Sequence, residues 1–189
     1  MDTILTDRQR EDFFIRIYFD TSNGFELAGI KRAFLDFSRT LKIVNENRQT
    51  LKQNAENFIL TQLQSLLQTK FDSQSEFDEQ HKTWTVNLTK TWSELTYGQA
   101  QKWINMTLKY WLLLGDTRIN GIEQNAQYFH IPIDSYVQKG MFEEKSPKPW
   151  SKISNYDDYL KYQLDHRNKQ TGNFPLVDEF KFFNDYRPK

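Results

Sequence analysis

The 189-residue chain has no cysteine, and that one absence removes disulfides, thiolate catalysis, iron–sulfur clusters and cysteine-ligated zinc. Stability has to come from packing. Seven glycines and five prolines are too few for a turn-rich β-sandwich. Net charge is lacking too: 25 Lys and Arg balance 25 Asp and Glu, so no global field draws the chain to nucleic acid, a membrane or an acidic ligand. The most apolar stretch, residues 103–114, is broken by Asn105, Thr107 and Lys109 and falls short of the roughly 20 apolar residues of a membrane span. Residues 1–7 carry neither the basic start nor the apolar run of a secretory signal, so a cytoplasmic setting is expected. Aromatics, by contrast, are abundant, with 15 Phe, 9 Tyr and 5 Trp. Together these features predict one all-α domain over residues 1–189, built as a compact helical bundle.

Apolar residues Leu27, Ile30, Phe34, Phe37, Leu41 and Val44 recur at alternating spacings of three and four, which predicts an amphipathic helix over 26–44. Asn23-Gly24 before it is a turn signal that sets off Phe13–Phe19 as a short strand or buried helical turn, read here as helix. A second core helix is expected over 53–70, with Phe58, Ile59, Leu63, Leu66 and Leu67 inward. Residues 71–83 are polar and rich in turn formers, and read as a loop or frayed helix. Four of the five tryptophans fall in 84–115, which reads as a helical hairpin at the hydrophobic centre. Thr96 or Tyr97 can start its second helix, and Gly115 can end it in the left-handed conformation. A polar connection over 116–129 follows. Then Pro132 forces an extended approach to Asp134, which can cap a short helix ending near Gly140. After a loop over 143–149, a last amphipathic helix is predicted over 150–168, with Tyr156, Tyr159, Leu160 and Leu164 inward, and a closing one over 176–186.

On a helical wheel, Gln101, Lys102, Asn105 and Lys109 share one side of the 98–114 helix, opposite Ala100, Trp103, Ile104, Met106, Tyr110 and Trp111. This polar stripe is either a solvated face or the wall of a cleft; Leu112 and Leu113 beside it favour the cleft. A lysine partly removed from water can serve as a neutral amine, a nucleophile able to form a Schiff base. Asp134, at a helix start after Ile131-Pro132-Ile133, is either a cap alone or the acidic partner of Lys102. His130, four residues earlier, is either a core residue or a contact to the same site.

The order Tyr97-Gly98-Gln99-Ala100-Gln101-Lys102, an aromatic helix, and Ile131-Pro132-Ile133-Asp134-Ser135-Tyr136-Val137 resembles the core of the helix-hairpin-helix DNA glycosylases, specifically the 8-oxoguanine branch. The resemblance covers residues 97–137. It implies an all-α fold of that type, a catalytic lysine at Lys102 and a catalytic aspartate at Asp134, acting together as glycosylase and lyase. Excision of an oxidised purine from double-stranded DNA, with no metal or organic cofactor, would follow. Candidate substrate contacts are Gly98, Gln99, Asn105, Lys109 and His130. The hairpin itself departs from the family's two-glycine pattern, since Leu95-Thr96-Tyr97-Gly98 carries one glycine. Lys90, Lys102, Lys109, Lys139, Lys145, Lys148 and Lys152 are the basic residues expected near the mouth of the site.

Three scattered histidines offer no metal-ligand spacing, and there is no glycine-rich phosphate loop. The alternative to an enzyme is a non-catalytic helical interaction or DNA-binding module on the same fold, with a protein partner, in a phage or defence setting. Lys102 and Asp134 facing one cleft would separate the two.

Overall fold

A computed structural model describes residues 4–42, 47–169 and 171–185, and among them every regular element is helical. The order is α1 (Asp7–Tyr18), α2 (Phe25–Phe37), α3 (Arg48–Leu66), α4 (Gln74–Thr91), α5 (Tyr97–Leu114), α6 (Tyr156–Asn168) and α7 (Pro175–Asp185), with short 3-10 turns between them and, after Asp134, a π-helical turn over Val137–Met141. None of the described helices is long and apolar enough to cross a membrane.

The centre of the fold is α5, in which every residue except Leu112 and Leu113 is buried. Thr96 opens it with a capping box: its hydroxyl accepts from Gln99 N, and the Gln99 side chain accepts from Thr96 N. Gly115 closes it at φ 71, a left-handed conformation that glycine reaches without penalty. α2 lies along one side, held by two indoles of α5: Trp103 Nε1 donates to Ile30 O at 3.0 Å and Trp111 Nε1 to Glu26 O at 2.9 Å. Phe34 and Phe37 pack their rings on Trp103. α3 and α4 complete the main core with Ile59, Leu63, Leu66, Phe77, Trp84 and Leu88. A smaller apolar cluster on another side of α5 joins Tyr97 to Ile131, Ile133, Val137, Ile153, Tyr156 and Tyr159. It seats α6 and the segment before Asp134.

Several boundaries differ from the sequence reading. α2 stops at Phe37 and passes through the turn Ser38–Thr40, with Leu41 packed against the core in extended backbone; Val44 lies outside the described residues. Residues 74–83, expected as loop or frayed helix, belong to the regular helix α4, which Ser73 caps by accepting from Glu76 N at 3.2 Å. Its inward positions are Phe77, His81, Trp84, Thr85 and Leu88, so two polar residues occupy a helical stripe and blur the apolar period. The segment 150–168 divides into a 3-10 turn, Trp150–Lys152, and α6, which Asn155 caps. Leu164 faces outward, because the inward stripe of α6 runs Tyr156, Tyr159, Gln163, His166. The segment 13–19 is the end of a longer helix rather than a buried turn. Phe13, Phe14 and Ile17 are exposed, while Phe19 enters the core and Arg118 tethers Glu11 and Asp12. The connection over 116–129 is less polar in its role than in its composition, since Ile119, Ile122 and Asn125 are buried. Tyr186 also lies outside the described residues.

Gly98 is where α5 and the Trp150–Lys152 turn touch. Its N–H donates to Ile153 O at 2.9 Å, and a Cβ there would stand 2.0 Å from Trp150 O. Gly98→Ala should therefore destabilise the fold by about 1–3 kcal/mol, although alanine is the better helix former. The urea midpoint at constant slope measures it, and an unchanged midpoint would mean that the turn does not rest on Gly98.

Candidate functional site

Polar residues on a helix that packs on all sides must find partners inside the protein, since an unpaired buried group costs about 1–3 kcal/mol. α5 meets this demand three times along its length. At its start, Lys102 Nζ lies 2.7 Å from Asp134 Oδ2. The lysine side chain is 6% exposed and the aspartate 25%, so the pair opens to solvent on the aspartate's side. Asp134 is also a cap, because its Oδ1 accepts from Tyr136 N at 3.0 Å and Val137 N at 2.9 Å. Burial works to raise its carboxyl. The Lys102 charge and hydrogen bond, with the two N–H groups, outweigh that and hold it below the ordinary 3.8. The two sequence readings of Asp134, cap and acidic partner, describe its two oxygens.

Lys102 and Asp134 stand in the wall of a cleft of about 1010 Å³. Two turns further along α5, Lys109 Nζ sits 2.8 Å from Glu179 Oε1 of α7 and within 5.0 Å of the Phe180 and Phe183 ring centres. Across from them, Tyr110 Oη donates to Asp36 Oδ2 at 2.6 Å and stands 3.1 Å from Tyr18 Oη, with the Arg32 guanidinium 3.9 Å over the Tyr18 ring. Burial first, and the Asp36 carboxylate second, raise the Tyr110 phenol well above its ordinary value. The cleft is thus aromatic and apolar in its walls, with two lysine–carboxylate pairs set into one side. Its volume is in the range of small-molecule sites.

The third arrangement is sealed at its histidines and reaches the surface only at its Asp78–Arg167 end, where the side chains are 14% and 21% exposed. His81 Nε2 meets Asn105 Oδ1 at 2.9 Å, Asn105 Nδ2 donates to Tyr159 Oη at 2.8 Å, and Tyr159 Oη meets His130 Nδ1 at 2.8 Å. His130 Nε2 then meets Asp78 Oδ1 at 2.7 Å. Arg167 pairs both Asp78 oxygens, at 2.7 and 2.8 Å. The links from His81 to Asp78 are all satisfied when each N–H or O–H points towards Asp78, with neutral histidines carrying the proton on Nε2; Arg167 Nη2, also 2.9 Å from His130 Nε2, then gives its hydrogen to Asp78 Oδ1. Burial holds the imidazoles of His81 and His130 below the ordinary 6.5. For Asp78 burial acts upward, and the hydrogen bonds from His130 and Arg167 overcome it, leaving the carboxyl far below 3.8.

Of the residues singled out in the sequence, Lys102, Lys109 and Asp134 line the cleft. The others do not. His130 and Asn105 belong to the sealed chain, and Gln99 is engaged at the α2–α5 junction, where Nε2 donates to Thr40 O at 3.1 Å. Gly98 spends its N–H on Ile153 O and faces backbone, which leaves no amide there for a phosphate. The lysine cluster also disperses, since Lys148 and Lys152 line a separate hollow of about 510 Å³. Leu113 stands at the cleft rim, 52% exposed, rather than shielding Lys102. Glu179, Asp36, Arg32 and Phe183 were not anticipated. Glu179 had a signal, being an acid beside Leu176, Phe180 and Phe183 on the apolar face of α7; Asp36 and Arg32 had none. Among the described residues no group of three or more His, Asp or Glu is placed to hold a metal ion. Comparison with family models, curated proteins and solved structures gave no match in any of the three.

Two predictions follow from these pairings. Below about pH 6.5 the unfolded chain binds protons at His81 and His130 that the folded chain refuses, so stability should fall as pH drops. The slope reaches up to about 1.4 kcal/mol per pH unit for each imidazole. Asp78 should add a second loss below 3.8, where its depressed carboxyl stays ionised in the folded state alone. Urea midpoints from pH 7.5 to 4.5 read the histidine part, and a level profile would contradict it. Separately, Glu179→Gln or Lys109→Met should cost about 3–5 kcal/mol by stranding a buried charge, whereas the double variant Lys109→Met/Glu179→Leu should be far closer to wild type. Thermal unfolding of the three proteins tests the coupling.

Proposed function

We propose that the protein is a helical DNA base-excision enzyme, a relative of the helix-hairpin-helix 8-oxoguanine glycosylases, with Lys102 as nucleophile and Asp134 as its partner. One observation carries the reading: a nearly buried lysine and a helix-capping aspartate, 32 positions apart in the chain, lie 2.7 Å apart in the wall of an aromatic cleft large enough for a nucleobase. A base must leave the duplex stack to be excised, and aromatic walls recover part of the lost stacking.

In this reading Lys102 gives a proton to the departing base, and its neutral amine attacks the sugar C1′. The N–C1′ bond forms as the glycosidic bond breaks, and the bonding electron pair leaves with the base, which takes up that proton. One N–H proton then passes to O4′ as the C1′–O4′ bond breaks, and the opened sugar is held as the protonated Schiff base. Asp134 is held ionised by the Tyr136 and Val137 N–H groups, so its charge stabilises the positive sugar of the transition state.

A non-catalytic interaction module is the second reading, favoured by the exposed Phe13, Phe14 and Ile17 on α1 and by an α5 start whose glycine amide is already bonded. Borohydride reduction separates the two. A covalent adduct between the protein and a duplex containing 8-oxoguanine is expected, lost in Lys102→Gln, which keeps the polarity but has no amine. Asp134→Asn should lower the rate of adduct formation by about 100-fold or more with DNA affinity changed little. A wild-type protein that forms no adduct with any oxidised or deaminated base would leave the interaction module standing.

A further inference from the structure

The segment that delivers Asp134, residues 129–134, lies outside any helix and has no sheet beside it. Its hydrogen bonds go to two glutamine side chains. Gln163 Oε1 accepts from Ile131 N at 3.0 Å and its Nε2 donates to Ile131 O at 2.9 Å. From α5, Gln101 Nε2 donates to Ile133 O at 3.2 Å, and its Oε1 lies 3.5 Å from Ile133 N. Each amide thus stands in for a neighbouring strand at one residue. Pro132, between them, has no N–H to satisfy.

Both glutamines are buried, and the orientation of Gln101 is fixed from behind. Its Nε2 also donates to Gly98 O at 2.9 Å, and its Oε1 accepts from Asn105 Nδ2 at 3.0 Å. Gln101 directly precedes Lys102, and Ile133 directly precedes Asp134. The clamp is therefore one residue away from the ion pair on both chains, and any slip of Ile133 along α5 moves Asp134 past Lys102 by the same amount.

We infer that Gln101 and Gln163 are positioning residues that set the approach of the Asp134 carboxylate to Lys102. The inference rests on the reading of that pair as the reactive one, and a displacement near 1 Å at such a pair lowers rates by about 100-fold. Neither glutamine touches the cleft, so their work is on the geometry of the pair rather than on a ligand.

Gln101→Met and Gln163→Met keep side-chain length and burial while removing both hydrogen-bonding atoms. Two readouts decide the matter in folded protein, checked by circular dichroism. The rate of borohydride-trapped adduct with the 8-oxoguanine duplex should fall about 10-fold or more while the KM for the duplex moves less than about twofold, the split expected when alignment rather than binding is lost. Independently of activity, the Asp134 carboxyl carbon, followed by NMR, should titrate at higher pH in each variant than in wild type, as the distance to Lys102 grows. An Asp134 titration and a trapping rate unchanged in a folded Gln101→Met protein would overturn the inference. Should that variant not fold, Gln163→Met, which releases the segment one step earlier, is judged by the same two measurements. A wild-type protein that traps nothing defeats the glycosylase reading alone, because the Asp134 titration still shows whether the glutamines hold the pair.

Discussion

The fold is organised by the cost of burying polar groups on a helix that packs on all sides. Helix α5 carries Gln101, Lys102, Asn105 and Lys109 into the interior of the protein, and an unmatched charge there would be worth more against folding than any single apolar contact is worth for it. Each of these groups fixes a neighbour. Lys102 requires Asp134, Lys109 requires Glu179, and Asn105 requires both His81 and Tyr159. The placement of α4, α6, α7 and the 131–134 segment is in this sense a list of α5's counterparts, with the tryptophans and α2 supplying the apolar bulk on its remaining sides.

That constraint also explains why cleft and core lie so close together. Lys102 and Asn105 are three residues apart and share a face of α5, yet one reaches a solvent-lined cleft and the other a sealed hydrogen-bond chain. The boundary between them is Gln101 with the Ile131–Ile133 backbone. An aromatic lining on the cleft side and aromatic rings around the histidines on the other give both regions the low polarity that strengthens charge–charge attraction.

Much of this was legible in residue order. The absence of turn formers and the three-and-four spacing announced a helical protein, Thr96 and Gly115 marked the two ends of α5, and the polar stripe with Pro132 and Asp134 pointed to the pair that meets at 2.7 Å. The limits came from polar residues doing core work. His81 and Thr85 on α4 and Gln163 and His166 on α6 occupy inward positions that a hydrophobicity pattern scores as solvent, so α4 lost its first turns and Leu164 was placed inward in error. Composition cannot say whether a stripe of glutamine, asparagine and lysine faces water or partners, since the partners come from elements 24 to 70 residues away. The same is true of His130, whose neighbours in the chain suggest a site and whose neighbours in space form the sealed chain.

The glutamine clamp has one more effect. An extended segment of β-branched residues ordinarily offers a row of free N–H and C=O groups on which another chain can add as a strand. Here Ile131 and Ile133 have given those groups to side-chain amides, Pro132 has no donor to give, and helices α5 and α6 stand on either side. This stretch is therefore closed to edge-to-edge pairing, and the protein presents to other chains no ladder there that could be extended into an aggregate.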